Sequence, residues 1–189
     1  MVTLRIYCNI FRFVRKTFLF SSMYVILTSL SVHTLGQNIG DYGSLSSGNW
    51  SATANWGVWN GSAYVTNGTY PGQSSGSYDV VIQNGNNIYL DISPAGTFNS
   101  LTITGVNSGT RSTLSMNLGD NRTLHTSSLT FTNWGYFLTG NNVSLYLDAG
   151  AIVVIDNNGS MDVTNPCSNS MIIYIGGNAY STCNGAGPS

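Results

Sequence analysis

The sequence predicts an all-β protein whose strands wind into a short parallel β-helix, a solenoid with an aromatic N-terminal cap; a β-sandwich is the alternative. Three observations carry that expectation. Beyond residue 36 the chain is a succession of short runs rich in Val, Ile, Thr and Tyr, broken by Asn/Gly turns. No window there has the periodicity of an amphipathic helix, and the chain contains no glutamate at all. Finally, the run SLTITG at 100–105 recurs as SLTFTN at 128–133, and IYLD at 88–91 returns as LYLD at 145–148.

Taken in order, residues 1–36 read as a secretory signal peptide. A basic n-region holding Arg5, Arg12, Arg15 and Lys16 precedes an uncharged stretch, and Thr34 and Gly36 suit cleavage before Gln37. Serines, threonines and His33 dilute that stretch, and no charged stop-transfer segment follows. An uncleaved membrane anchor is the alternative; after cleavage no membrane span is expected.

Residues 37–78 form a Gly/Ser-rich aromatic cap with Trp50, Trp56, Trp59, Tyr64 and Tyr70. Asn60-Gly61 between Trp59 and Tyr64 signals a type I′ hairpin turn, and Pro71-Gly72 another turn. Residues 79–189 form the β-helical domain. Its expected strands lie in the runs 79–85, 87–91, 100–105, 112–119, 128–133, 143–150, 151–159, 161–165 and 171–177. They are too short and irregular for a regular Greek key. Stacked coils would instead fill a continuous core with alternate residues, and the aromatic segment would cover the open end.

Charge narrows function. Residues 37–189 carry two arginines, Arg111 and Arg122, against seven aspartates, and no lysine. So few cations cannot neutralise a phosphate backbone, which excludes nucleic acid as a partner. In an oxidising compartment Cys167 and Cys183 are read as a disulfide, with two free thiols as the alternative. With only His125 in this region, no soft-ligand metal site is expected. The run DNNGSMD (156–162) fails the calcium-loop pattern, because its Gly159 stands fourth rather than sixth. A structural calcium on Asp and Asn oxygens is the one cofactor considered.

The opening Gly48-Asn49-Trp50, Trp56, Pro71-Gly72, Asp79-Val80-Val81-Ile82, Gly85 through Leu90 and Ser100-Leu101-Thr102-Ile103 together resemble a known module. It is similar to the G8-like, β-helical N-terminal region of secreted Bacteroidetes adhesin-like surface proteins, over roughly residues 43–177. The motifs through residue 103 are moderately specific, and the later runs are generic. The resemblance implies export by the type IX route, surface display and adhesion or glycan contact. It carries over no catalytic residue. The chain departs from that pattern in ending at NGAGPS, with no sorting domain or basic tail. That ending reads as the middle of a longer protein.

Catalysis has few candidates. A polysaccharide lyase would need Arg111 or Arg122 as base. A hydrolase would need two carboxyls about 5–10 Å apart, for which Asp148, Asp156 and Asp162 are available. Aspartates in Asn/Gly loops ordinarily accept turn N–H groups instead. His125, in RTLHTSSL, lacks a nucleophile elbow such as GxSxG. The tryptophans and tyrosines of the cap could stack sugar rings or pack the solenoid end. The sequence therefore points to a non-enzymatic, exported cell-surface module that contacts an extracellular glycan, matrix or cell-surface partner. The alternative is a carbohydrate-binding module attached to a polysaccharide-degrading enzyme.

Overall fold

The computed structural model describes residues 36–139, 142–163 and 172–181. Among them the chain is all-β, a parallel β-solenoid of about four turns. The only helical piece among the described residues is one 3₁₀ turn at Thr53–Asn55. The expected leader and the Cys167–Cys183 pair lie outside the described residues.

Among the described residues sixteen strands follow one another. They are β1 (Tyr42–Ser44), β2 (Gly48–Asn49), β3 (Trp56–Trp59), β4 (Tyr64–Val65), β5 (Asp79–Ile82), β6 (Asn87–Tyr89), β7 (Phe98–Thr104) and β8 (Ser112–Met116). Then come β9 (Asn121–Leu124), β10 (Thr126–Thr132), β11 (Gly135–Thr139), β12 (Ser144–Leu147), β13 (Ile152–Ile155), β14 (Ser160–Val163), β15 (Ile172–Ile175) and β16 (Asn178–Ser181).

They form three sheets. The first runs β13-β10-β7-β5-β1-β3-β4, the second β14-β11-β8-β6-β2, and the third β16-β15-β12-β9. Each complete coil visits the three in turn, as β7–β8–β9 and β10–β11–β12 do. Neighbouring coils pair in parallel; among the described strands β3 runs antiparallel to β1 and β4, and β16 to β15.

Alternation within each strand sends every second side chain inward, and parallel register stacks those residues into columns. One column runs Ile82, Ile103 and Phe131, another Val80, Leu101 and Leu129, and the second sheet adds Ile88, Leu114 and Phe137. All nine are at most 1% exposed. Phe131 and Phe137 stack across the core at 5.8 Å. The repeat of SLTITG in SLTFTN is real register, with Leu101 against Leu129 and Ile103 against Phe131.

Other expectations need correction. The IYLD and LYLD runs do not stack, because Tyr89 lies in the second sheet and Tyr146 in the third. Asn60-Gly61 does turn a hairpin, but through a four-residue loop. There the Asn60 side-chain oxygen accepts from Ser62 N and Ala63 N, an Asx turn rather than type I′. Strands β9 and β11 were not expected. NRTL offers no apolar alternation, and GYFLT turns Gly135, Phe137 and Thr139 inward with Leu138 exposed, so its apolar residues do not mark one face.

Part of the aromatic segment is itself coil, since β1 pairs with β5 and β2 with β6 in parallel. Trp50 and Trp56 fill the core at this end, edge to face at 4.9 Å, with Phe98 stacked beyond Trp50. Burying an indole requires a partner for its N–H. Trp50 Nε1 donates to the Pro71 carbonyl and Trp56 Nε1 to that of Trp50. At the same end of the third sheet, β9 has no strand above it. Arg122 donates to the Leu90 carbonyl and pairs with Asp120, while Thr123 N donates to Ser93 Oγ, which satisfies that edge.

Candidate functional site

The residues singled out from sequence fall into two groups. Trp50 and Trp56 have no exposed surface, so neither offers a face to a ligand. Trp59 and Tyr64 are half-buried and meet edge to face at 5.2 Å, and Tyr70 packs half-buried against the core. Burial, with the Asp41 charge second, pushes the Tyr64 phenol up to about 12, so it is neutral at ordinary pH.

Every aspartate whose side chain is described is tied locally. Asp41 accepts from Asn38 N and Asp79 N, Asp91 from Ser51 N, Asp120 from Asn117 N, Asp79 from Ser100 Oγ, and Asp156 from Thr132 Oγ1. Asp148 and Asp156 stand at opposite ends of β13 rather than side by side. Arg111 lies over the Tyr136 ring at 4.5 Å and donates to Ser108 O, and Arg122 is held at the sheet edge. Among the described residues no three His, Cys, Asp or Glu side chains come together as metal ligands. No helix among them is long and apolar enough to cross a membrane.

The arrangement that sequence reading missed sits where the third sheet turns into the first. In one coil that corner is a single residue, His125, between β9 and β10. In the next it is the turn Asp148–Ala151, closed by Ala151 N donating to Asp148 O. Register places Leu147 beside Leu124, so the following residues also meet. His125 Nδ1 lies 2.9 Å from Asp148 Oδ1, with the two side chains 37% and 45% exposed.

An open groove of about 540 Å³ runs along this corner. Its floor is the buried pair Phe98 and Thr126. One wall is the segment 75–77, held by Gly76 N donating to Thr97 O; the other is the turn 148–150. The Thr126 and Ser127 hydroxyls donate to the Asn99 carbonyl, and the Ser75 hydroxyl accepts from Thr97 N. That leaves Ser77 Oγ, Thr97 Oγ1, the Asn99 carboxamide, His125 Nε2 and Asp148 Oδ2 facing the groove's surroundings without a partner among the described residues. Chemically this is a hydrogen-bonding strip of hydroxyl, carboxamide and imidazole groups with one exposed carboxylate. No serine hydroxyl bonds to His125 among the described residues, so the His–Asp pair has no nucleophile in place.

Beside the groove, two residues back along β12, Tyr146 is 39% exposed and stacks on Tyr174 of the next coil at 4.6 Å and 8°. The pairing partner of Tyr146 on its other side is Thr123. No signal in the sequence joined these residues, because each contact spans a full coil. No family model, no curated protein and no solved structure matches the chain.

Proposed function

We propose that the chain is a non-enzymatic, exported cell-surface module that contacts glycans along one corner of its solenoid, in the manner of an adhesin. The observation that carries this reading is the corner groove, where unpartnered hydroxyl, carboxamide, imidazole and carboxylate groups converge on one open strip. Sugars present alternating donors and acceptors, and a rigid β-scaffold that holds complementary groups in place binds them at low ordering cost. The two arginines are already engaged, and the described aspartates are bonded locally, so recognition rather than bond chemistry is what these residues supply. Export rests on the leader-like residues 1–36 and on the cation-poor chain that follows. A carbohydrate-binding platform on the cap would have to use Trp59, Tyr64 and Tyr70, which keep accessible surface.

The test is binding of the purified chain to a polysaccharide panel by affinity electrophoresis and calorimetry. Saturable binding is expected, weakened at least tenfold by a Ser77→Trp plug in the groove and unchanged by Trp59→Ala. Loss in Trp59→Ala alone would move the site to the cap, and product release from any polysaccharide would replace the reading with an enzymatic one.

A further inference from the structure

Resting on the glycan-contacting reading, we infer that the site takes an uncharged sugar ring. That ring seats on the open face of Tyr146 above Thr123, with its hydroxyls directed to Asp148 and His125. The Tyr146–Tyr174 stack uses one face of each ring, as the 8° interplanar angle requires. The opposite face of Tyr146 looks toward β9, where the register partner is the small, half-buried Thr123 rather than a third aromatic. A ladder that ends on a short side chain leaves a ring-sized step, and pyranose rings offer flat C–H faces to such a surface.

Strand geometry supplies the polar partners. Asp148 follows the last residue of β12, two positions beyond the outward Tyr146, and both side chains are exposed. Thr123 and His125 repeat that relation one coil away, which sets the His125–Asp148 pair at one end of the step over Thr123. Ser93, bonded by Thr123 N, bounds it on the side away from Tyr146. One sugar on the step can therefore stack and hydrogen-bond at once, while the chain continues into the groove past Ser127 and Asn99.

Charge selects the ligand. Asp148 presents an exposed carboxylate here. Arg122, the neighbour of Thr123, is already paired with Asp120 and bonded to the Leu90 carbonyl, and Arg111 lies over Tyr136 on the second sheet. Residues 37–189 hold seven aspartates against those two arginines, so an acidic polysaccharide meets repulsion both locally and from the whole domain. A neutral glycan meets none, and its vicinal hydroxyls suit a carboxylate acceptor.

The experiment compares a neutral β-glucan, a chitin oligosaccharide and polygalacturonate on the full chain, then on Tyr146→Ala and Thr123→Tyr, with circular dichroism confirming that each variant folds. One or both uncharged probes are expected to bind, with the acidic probe at least tenfold weaker. Tyr146→Ala should lose tenfold or more by removing the platform. Thr123→Tyr should lose as much by extending the stack over the step, with the fold intact. Equal or tighter binding of polygalacturonate, or parental binding in both variants, overturns this assignment and leaves glycan contact standing. Failure of every probe on the parent chain overturns both.

Discussion

Two corners of the solenoid obey opposite rules. Where the first sheet turns into the second, three of the connections use a two-residue left-handed turn, at Asn84-Gly85, Asn133-Trp134 and Asn157-Asn158, all with positive φ, while β7 reaches β8 through the longer segment 105–111. The strand then restarts against the previous coil. A Cβ on Gly135 would sit 1.9 Å from the Ile103 carbonyl oxygen, and one on Gly159 2.0 Å from that of Phe131. Where the third sheet turns into the first, the connection is one residue at His125 and four at Asp148–Ala151, and the turn around Gly150 has open space beside it. At the first corner the restarts at Gly135 and Gly159 are held by backbone contact. At the second the turn has room, and there the unpartnered polar groups collect, as exposed loops on a rigid scaffold ordinarily do.

That contrast can be broken by equal chemistry at unequal places. Gly135→Ala should cost about 3 kcal/mol or more, because backbone must move away from the new methyl. Gly150→Ala meets nothing within 4 Å and pays only for its φ of +82°, about 1 kcal/mol. Urea denaturation of both variants checks the ratio, and similar losses would mean the two corners are equally constrained.

The aromatic cap sharpens the comparison through pH. Tyr64 lies over Gly43 and Gly57, where added Cβ atoms would reach 2.6 and 2.9 Å from it. Its folded-state value near 12 is above the ordinary 10 of a free phenol. The neutral form's contribution is therefore complete below pH 10 and lost as pH rises through about 12. Thermal melts across that window should show a decline that Tyr64→Phe reduces. The smallest effect is expected at the open corner, where Asp148→Asn removes an exposed pair and should change stability by less than about 1 kcal/mol. If glycan affinity falls while stability holds, the corner serves binding; if both fall together, its role is structural.

Much of the fold was legible locally. The β7 and β10 runs announced both their alternation and their stacking, because a Leu-x-Ile or Leu-x-Phe pattern places its own inward residues. NRTL was opaque for the opposite reason. Arg122 takes a register position beside the buried Leu145, tolerable only because the Leu90 carbonyl and Asp120 receive its guanidinium. The pairing at the candidate site was not legible. In sequence Asp148 groups with Asp156 and Asp162, and His125 with nearby serines, not with each other, and the tryptophans that drew attention are, in the cases of Trp50 and Trp56, core.

The sequence by itself determined that the chain is β, where most strands lie, which face of each is apolar, and that Asn and Gly would turn the corners. These properties are local: period-two alternation and left-handed φ preference act within a few residues. Tertiary structure alone decided which sheet each strand joins, that Tyr146 stacks on Tyr174 and not beneath Tyr89, and that His125 meets Asp148. Coil lengths are unequal, so register cannot be counted along the chain. It is set when inward columns such as Ile82, Ile103 and Phe131 close on one another, and the outer rows follow from the core.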